Sequence, residues 1–214
     1  ELYTGSSVHL MDSKIDNGKL VLQEKINIKG IKSGKKVYDW TVPKEWNPIS
    51  ATLRDKKNKV LIDFKNNNLH LLNFSQSINK VVSWEELNDH LFFDKKLANA
   101  IPYRTSYYKK DWGFCVNQHQ YKNIKKSGKK FKVNIKTQSK KGYLNYGELI
   151  LPGKSKKEIL ISTYICHPSM ANDNLSGVMV TSLLAKHISS MKNRKFTYRI
   201  IFIPETIGAI AYLH

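Results

Sequence analysis

The stretch Glu158-Ile159-Leu160-Ile161-Ser162-Thr163-Tyr164-Ile165-Cys166-His167 decides the fold. Up to Cys166 it is an apolar run of strand length, the pattern of a strand buried on both faces. A loop containing Pro168 and Asp173 follows. Leu175, Met179, Leu183, Leu184 and Ile188 then recur at helical spacing. Tyr198-Arg199-Ile200-Ile201-Phe202-Ile203 reads as a second buried strand that ends at Pro204-Glu205, and residues 206–213 open another helix. Strand, helix, strand, helix is a βαβα unit, so a parallel sheet is expected here.

Upstream the patterns are shorter. Phe131 to Ile135 alternates, and Gly142 to Leu151 runs on to Pro152-Gly153, which suggests a hairpin or adjacent strands. From Gly34 to Tyr103 the chain reads as a small β-rich module, with strands near 36–42, 60–64 and 69–74 and a turn at Asn66-Asn67-Asn68. Ser83 and Glu86 mark a helix start. Residues 1–29 carry only weak alternation, at Leu20-Val21-Leu22 and Ile26-Asn27-Ile28. His70 alternates with Leu69 and Leu71 and is expected to face solvent. His90 reads as structural, His119 as a polar loop residue, and His187 as lying on the polar side of its helix.

Composition excludes several classes. The 214 residues suit one large domain or two small ones. No apolar run approaches the roughly 20 residues of a membrane helix, so no membrane partner is expected. Two cysteines, Cys115 and Cys166, make no disulfide framework. Lys+Arg is 36 against 17 Asp+Glu, a net +19. Only Arg54, Arg104, Arg194 and Arg199 are arginines, and arginine is the preferred residue for bidentate phosphate and base contacts. Scattered lysine among Asn and Ile argues for biased composition and against a nucleic-acid partner. The chain opens at Glu1 without the order of a signal peptide. It is expected to be processed or part of something longer, and cytoplasmic.

The residues with chemical potential sit at the carboxyl ends of the two buried strands, where open α/β sheets bind ligands. His167 follows the first strand, Asp173 lies six residues on, and Glu205 follows the second. An imidazole and a carboxylate suit zinc, and a second carboxylate suits a general base acting on metal-bound water. A catalytic zinc takes about three protein ligands, and only two are evident. The alternative is a loop-stabilising His167–Asp173 hydrogen bond, with Glu205 at a helix N-terminus, where negative charge is favoured. Cys166 and His167 are neighbours on an extended run, which argues that they point to opposite faces and form no nucleophile pair. Arg104 lies among aromatics, placed either to clamp a substrate carboxylate or to stack on Tyr103 or Tyr107.

Ala171-Asn172-Asp173-Asn174-Leu175-Ser176-Gly177 resembles the Asp-Asn-x-Ser-Gly motif of the co-catalytic zinc aminopeptidases, a family that includes the glutaminyl cyclases. The family Asp bridges two metals and matches Asp173. An upstream metal-binding His matches His167. Ile203-Pro204-Glu205-Thr206-Ile207-Gly208 resembles the family's Glu-Glu-x-Gly, whose first Glu is the general base and matches Glu205. Two departures matter. Ser169 stands where many members carry an Asp supporting the His, and Thr206 replaces the Glu that binds the second metal. The resemblance therefore implies one zinc rather than two. The family's later Asp and His ligands would fall after His214, so this chain alone is expected to be inactive.

A closer resemblance is carried by Asp39 to Asn47, Ile101-Pro102-Tyr103-Arg104-Thr105-Ser106-Tyr107-Tyr108, Asp111-Trp112-Gly113-Phe114-Cys115, Leu144 to Glu148, and Ser162 to Ser169. These runs are similar to those of largely uncharacterised bacterial aminopeptidase-like proteins encoded near polysaccharide-biosynthesis genes. That resemblance implies an α/β fold with a parallel or mixed sheet flanked by helices, incomplete here, and an inserted β-rich domain. The corresponding division is 1–33 and 105–214 for the peptidase-like part and 34–104 for the insert. The implied activity is zinc-dependent hydrolysis of a peptide or other amide. The alternative is a non-catalytic binding or scaffold protein in surface-polysaccharide biosynthesis.

Overall fold

A computed structural model describes residues 4–10, 19–167 and 170–214, with side chains from Ile26 onward. Ser169, one of the two departures above, lies outside the described residues. The chain forms two compact units, Glu1–Glu45 with Lys141–His214, and Trp46–Lys140. The first begins with strands β1 (Thr4–Leu10), β2 (Lys19–Lys32), β3 (Lys36–Val37) and β4 (Trp40–Thr41).

The inserted unit follows. Its strands are β5 (Glu45–Asp55), β6 (Val60–Asp63), β7 (Ile78–Ser83), β8 (Leu91–Phe92), β9 (Phe114–Cys115) and β10 (Lys130–Lys140), with helices α1 (Trp84–Asp89) and α2 (Gln118–Ser127). Four of the strands form a sheet in the order β6-β5-β10-β7. Ser83 Oγ accepts the Glu86 N–H at 3.2 Å, which starts α1 where the sequence marks it. Asn117 and Gln120 close a reciprocal capping box on α2. Phe131, Val133 and Ile135 alternate inward from β10 into a core with Leu53, Leu87 and Phe114.

This unit differs from the sequence reading in three ways. Its boundaries fall at 46 and 140 rather than 34 and 104, because β10 supplies much of its core. β10 pairs antiparallel with β7 and not with the strand that follows it. Residues 69–74 are not a strand: Asn67 caps a 3-10 turn, Asn68–His70, and buries His70. His70 Nδ1 lies 2.8 Å from the Cys115 carbonyl and Nε2 lies 3.4 Å from the Gln120 amide, so the buried ring has polar partners at both nitrogens. His90, stacked on Trp112 at 3.8 Å, is structural.

The chain then re-enters the first unit with β11 (Tyr143–Leu151), β12 (Glu158–Tyr164), α3 (Ser176–Ser190), β13 (Thr197–Ile203) and α4 (Ile207–Leu213). The sheet order is β1-β2-β11-β13-β12. β12 and β13 are parallel, while β11 is antiparallel to both β13 and β2. The result is the mixed α/β sheet expected. α3 packs through Val178 and Ala185 on one face, against Ile26, Ile200 and Phe202. α4 packs through Ile207 and Ala211 with Leu144, Val37 and Val42. No helix among the described residues is long and apolar enough to cross a membrane.

One carboxylate is buried in this sheet. Glu148 on β11 is 2 % exposed. It accepts bonds from Lys29, from Arg199 Nη1 at 2.8 Å and from the Tyr212 hydroxyl at 2.8 Å. Arg199 also forks onto Glu158, at 2.7 and 3.0 Å. Burial alone would raise the Glu148 pKa, but the bonds from Lys29, Tyr212 and Arg199 outweigh it and hold the carboxyl below its usual range. A group lowered in this way stabilises the fold above the ordinary carboxylate value of about 4.3, and that stability is lost as pH falls through the lowered value. Glu148→Gln is expected to cost about 3 kcal/mol, the low end for breaking a buried pair, since Arg199 keeps Glu158. It should also flatten the acid limb of stability; urea unfolding from pH 3 to 7 measures both, and an unchanged acid limb would contradict the assignment.

Candidate metal centre

Parallel pairing in the register Tyr164↔Ile203 ends β12 and β13 at the same edge of the sheet. The Ile165 N–H still donates to the Ile203 carbonyl at 3.2 Å, so the two chains leave the sheet side by side. His167 and Glu205 thereby meet, with Nε2 to Oε2 at 3.3 Å. The following turn, Ala171–Leu175, returns Asp173 to the other side of the ring, with Nδ1 to Oδ1 at 3.2 Å. One imidazole stands between two carboxylates. The His167 side chain is 11 % exposed, whereas Asp173 and Glu205 are 45 % and 44 % exposed and open to solvent.

The residues around Asp173 explain the local sequence. The Asn174 amide donates to Thr163 Oγ1 and to the Tyr164 carbonyl, both at 2.8 Å, and so pins the turn to the end of β12. Ser176 Oγ donates to the Asn172 carbonyl at 3.1 Å. A Cβ on Gly177 would lie 2.2 Å from Asn174 Oδ1, so only glycine leaves room for that amide. The Asp173–Asn174 peptide is cis. Between the second strand and α4, Thr206 takes φ +56°, ψ −73°, a rare conformation for a β-branched residue. Thr206 makes no side-chain cap bond to α4.

The negative charge of Asp173, then burial, then Glu205, raise the Tyr164 hydroxyl above its usual pKa. A cleft of about 360 Å³ adjoins the ring, lined by Tyr164, Ile165, His167, Met170, Leu175 and Val178. Its walls are mostly apolar, as in small-molecule sites.

Cys166 departs from the sequence reading. β12 ends at Tyr164, so strand alternation does not extend to residues 166 and 167. Cys166 instead lies on the same side as its neighbour. Donor atoms of Cys166, His167 and Glu205 all fall within 4.8 Å of one another. Cys166 Sγ accepts the Glu205 N–H at 3.1 Å. Partial burial pushes its thiol up, against that hydrogen bond. Cys115, by contrast, is buried and pushed up to about 12.

Arg104 belongs to the inserted unit, whereas this cluster belongs to the other. It is exposed, and its carbonyl accepts the Asn73 N–H at 2.9 Å. His119 lies in α2 and not in a loop.

The donor set fits a metal ion. Imidazole, carboxylate and thiol are zinc ligands, and the buried Oδ1 of Asp173 accepts no hydrogen bond from any described residue. The fold that carries these residues is that of an aminopeptidase-like α/β domain. Residues 10–214 match the family described as Domain of unknown function (DUF4910), and the chain belongs to it. A Clostridium acetobutylicum protein, provisionally named for polysaccharide biosynthesis and an aminopeptidase-like domain, is 44% identical over 188 residues, 88% of this chain and 43% of its own length. A crystal structure from Clostridium acetobutylicum, provisionally named a peptidase, superposes with a TM-score of 0.83 at 44% identity, over 88% of this chain and 44% of that one. The chain spans less than half the length of these relatives. The Bacillus subtilis zinc aminopeptidase BSAP aligns over 84% of this chain and 51% of its own at TM-score 0.47 and 12% identity, a likeness that reaches neither activity nor metal.

The Asn174–Gly177 fit is testable by coupling. Gly177→Ala is expected to cost about 1–3 kcal/mol through overpacking. In an Asn174→Ala background the added cost should shrink, giving a favourable interaction energy above about 0.5 kcal/mol. Strict additivity in urea unfolding would contradict this reading of the turn.

Proposed function

We propose that the chain carries the metal site of a zinc-dependent aminopeptidase-like hydrolase acting on a peptide or another amide. The observation that carries the reading is the convergence of His167, Asp173 and Glu205 at the shared end of β12 and β13. In it, His167 and Asp173 hold the ion, and one ion is favoured over two because Thr206 offers no carboxylate. Zinc, when bound, supplies a polarised carbonyl and a more acidic water.

This chain's own groups do the rest. Glu205 takes the water proton and later returns it to the leaving amine. Its open carboxylate suits a group that must exchange protons with substrate and solvent. The apolar cleft beside His167 takes an uncharged portion of the substrate and excludes water from it.

A second reading is a binding or scaffold protein of the same fold in surface-polysaccharide assembly. Thr206 in place of a second acidic residue favours it, as does the name of the Clostridium acetobutylicum relative. Glu205→Gln, made in the protein at its natural length, separates the two. The hydrolytic reading predicts that amide turnover falls by about 10²–10⁴-fold while zinc content stays the same. Unchanged turnover would overturn Glu205 as the base, and absence of turnover in the zinc-loaded wild type would favour the second reading.

A further inference from the structure

We propose that Cys166 is a metal ligand: its sulfur, the His167 imidazole and the Glu205 carboxylate form a soft-metal site at the carboxyl edge of β12 and β13. Their donor atoms lie within 4.8 Å of one another. Zinc bonds of about 2.0–2.3 Å put tetrahedral ligands about 3.5 Å apart. Closing the remaining gap needs only side-chain adjustment, because all three residues sit on chain leaving the sheet. Cys166 is exposed, so an ion reaches it.

Two contacts prepare the site. The Glu205 N–H already points at Cys166 Sγ at 3.1 Å, a bond that favours negative charge on sulfur. Asp173 faces Nδ1 of His167, while Glu205 faces Nε2. A carboxylate on one ring nitrogen is the usual support for a histidine that binds metal through the other. Asp173 Oδ1 lies 3.2 Å from Nδ1, within ion-pair reach, which leaves Cys166, Nε2 and Glu205 as the groups that would face the ion. On binding, the sulfur–metal bond forms as the thiol proton passes to solvent, and nothing is oxidised or reduced.

This set differs from the hydrolytic one. There Asp173 is a ligand and Glu205 stays available as base; here Glu205 is engaged. A thiophilic ion held in this way silences the base, a consequence that rests on the hydrolytic reading, whereas the binding itself does not.

Cobalt(II) titration tests it, because thiolate ligation adds a sulfur-to-cobalt charge-transfer band in the near ultraviolet. The band is expected in the wild type, absent in Cys166→Ser and kept in Cys115→Ser. Serine still offers an acceptor to the Glu205 N–H. A measurement on the wild type needs no variant: zinc at 100 times its Kd should slow alkylation of Cys166 about 100-fold. Cobalt bound with visible bands but no charge-transfer band, or alkylation indifferent to zinc, would overturn the proposal. If those visible bands vanish in Asp173→Asn, the hydrolytic metal site stands without it. A charge-transfer band that survives Asp173→Asn, together with no amide turnover in the zinc-loaded wild type, supports the thiolate site and counts against the hydrolytic reading.

Discussion

The in-register parallel pairing of β12 with β13 is the constraint on which the site depends. Tyr164 lies opposite Ile203, so the residues that follow, His167 and Glu205, emerge at one edge although 38 positions separate them in sequence. α3 makes the crossover and buries Val178 and Ala185 against Ile200 and Phe202. Ile200 to Ile203 are buried in succession, so β13 is packed on both faces, and the in-register hydrogen bonding of β12 along it sets the spacing between imidazole and carboxylate.

The Glu148 cluster holds the other side of the same sheet. It ties Lys29 of β2, Arg199 of β13 and Tyr212 of α4 to a carboxylate on β11, and through Arg199 it reaches Glu158 at the start of β12. α4 begins two residues after Glu205, so anchoring Tyr212 restrains the segment that carries Glu205. A Cβ at Gly208 would lie 2.7 Å from Ile203 Cγ1 and 2.9 Å from Pro204 Cδ. That close approach seats α4 directly against the end of β13, with Thr206 in its unusual conformation between them.

Much of this is legible in the residues. The two apolar runs and the helical spacing between them define the βαβα unit but not its burial: β12 is a largely exposed edge strand rather than one buried on both faces, and Leu175, Met179, Leu183 and Leu184 are exposed while α3 packs through Val178 and Ala185. The Asp173 to Gly177 pattern can be read because its positions contribute different things. Asp173 turns a carboxylate toward His167, Asn174 pins its amide to β12, and Gly177 leaves the space that amide needs. What the residues hide has physical causes. Alternation places Cys166 on the far face only if it continues past Tyr164, where the strand has ended. Residues 69–74 alternate like a strand, yet the Asn67 cap diverts them into a turn that buries His70. The insert runs on to Lys140 because β10 pairs with β7, a contact between distant residues that local pattern does not reveal. Glu148 carries no signal of its own, since its three partners come from separate elements.

The proposed metal site at the end of β12 and β13 stands or falls on zinc content. Zinc per chain, measured by elemental analysis of folded protein equilibrated with zinc at neutral pH, tests it most directly. The account predicts about one zinc per chain, lost in His167→Ala with the fold intact. A folded wild type that retains no zinc, or a His167→Ala protein that retains all of it, would contradict it.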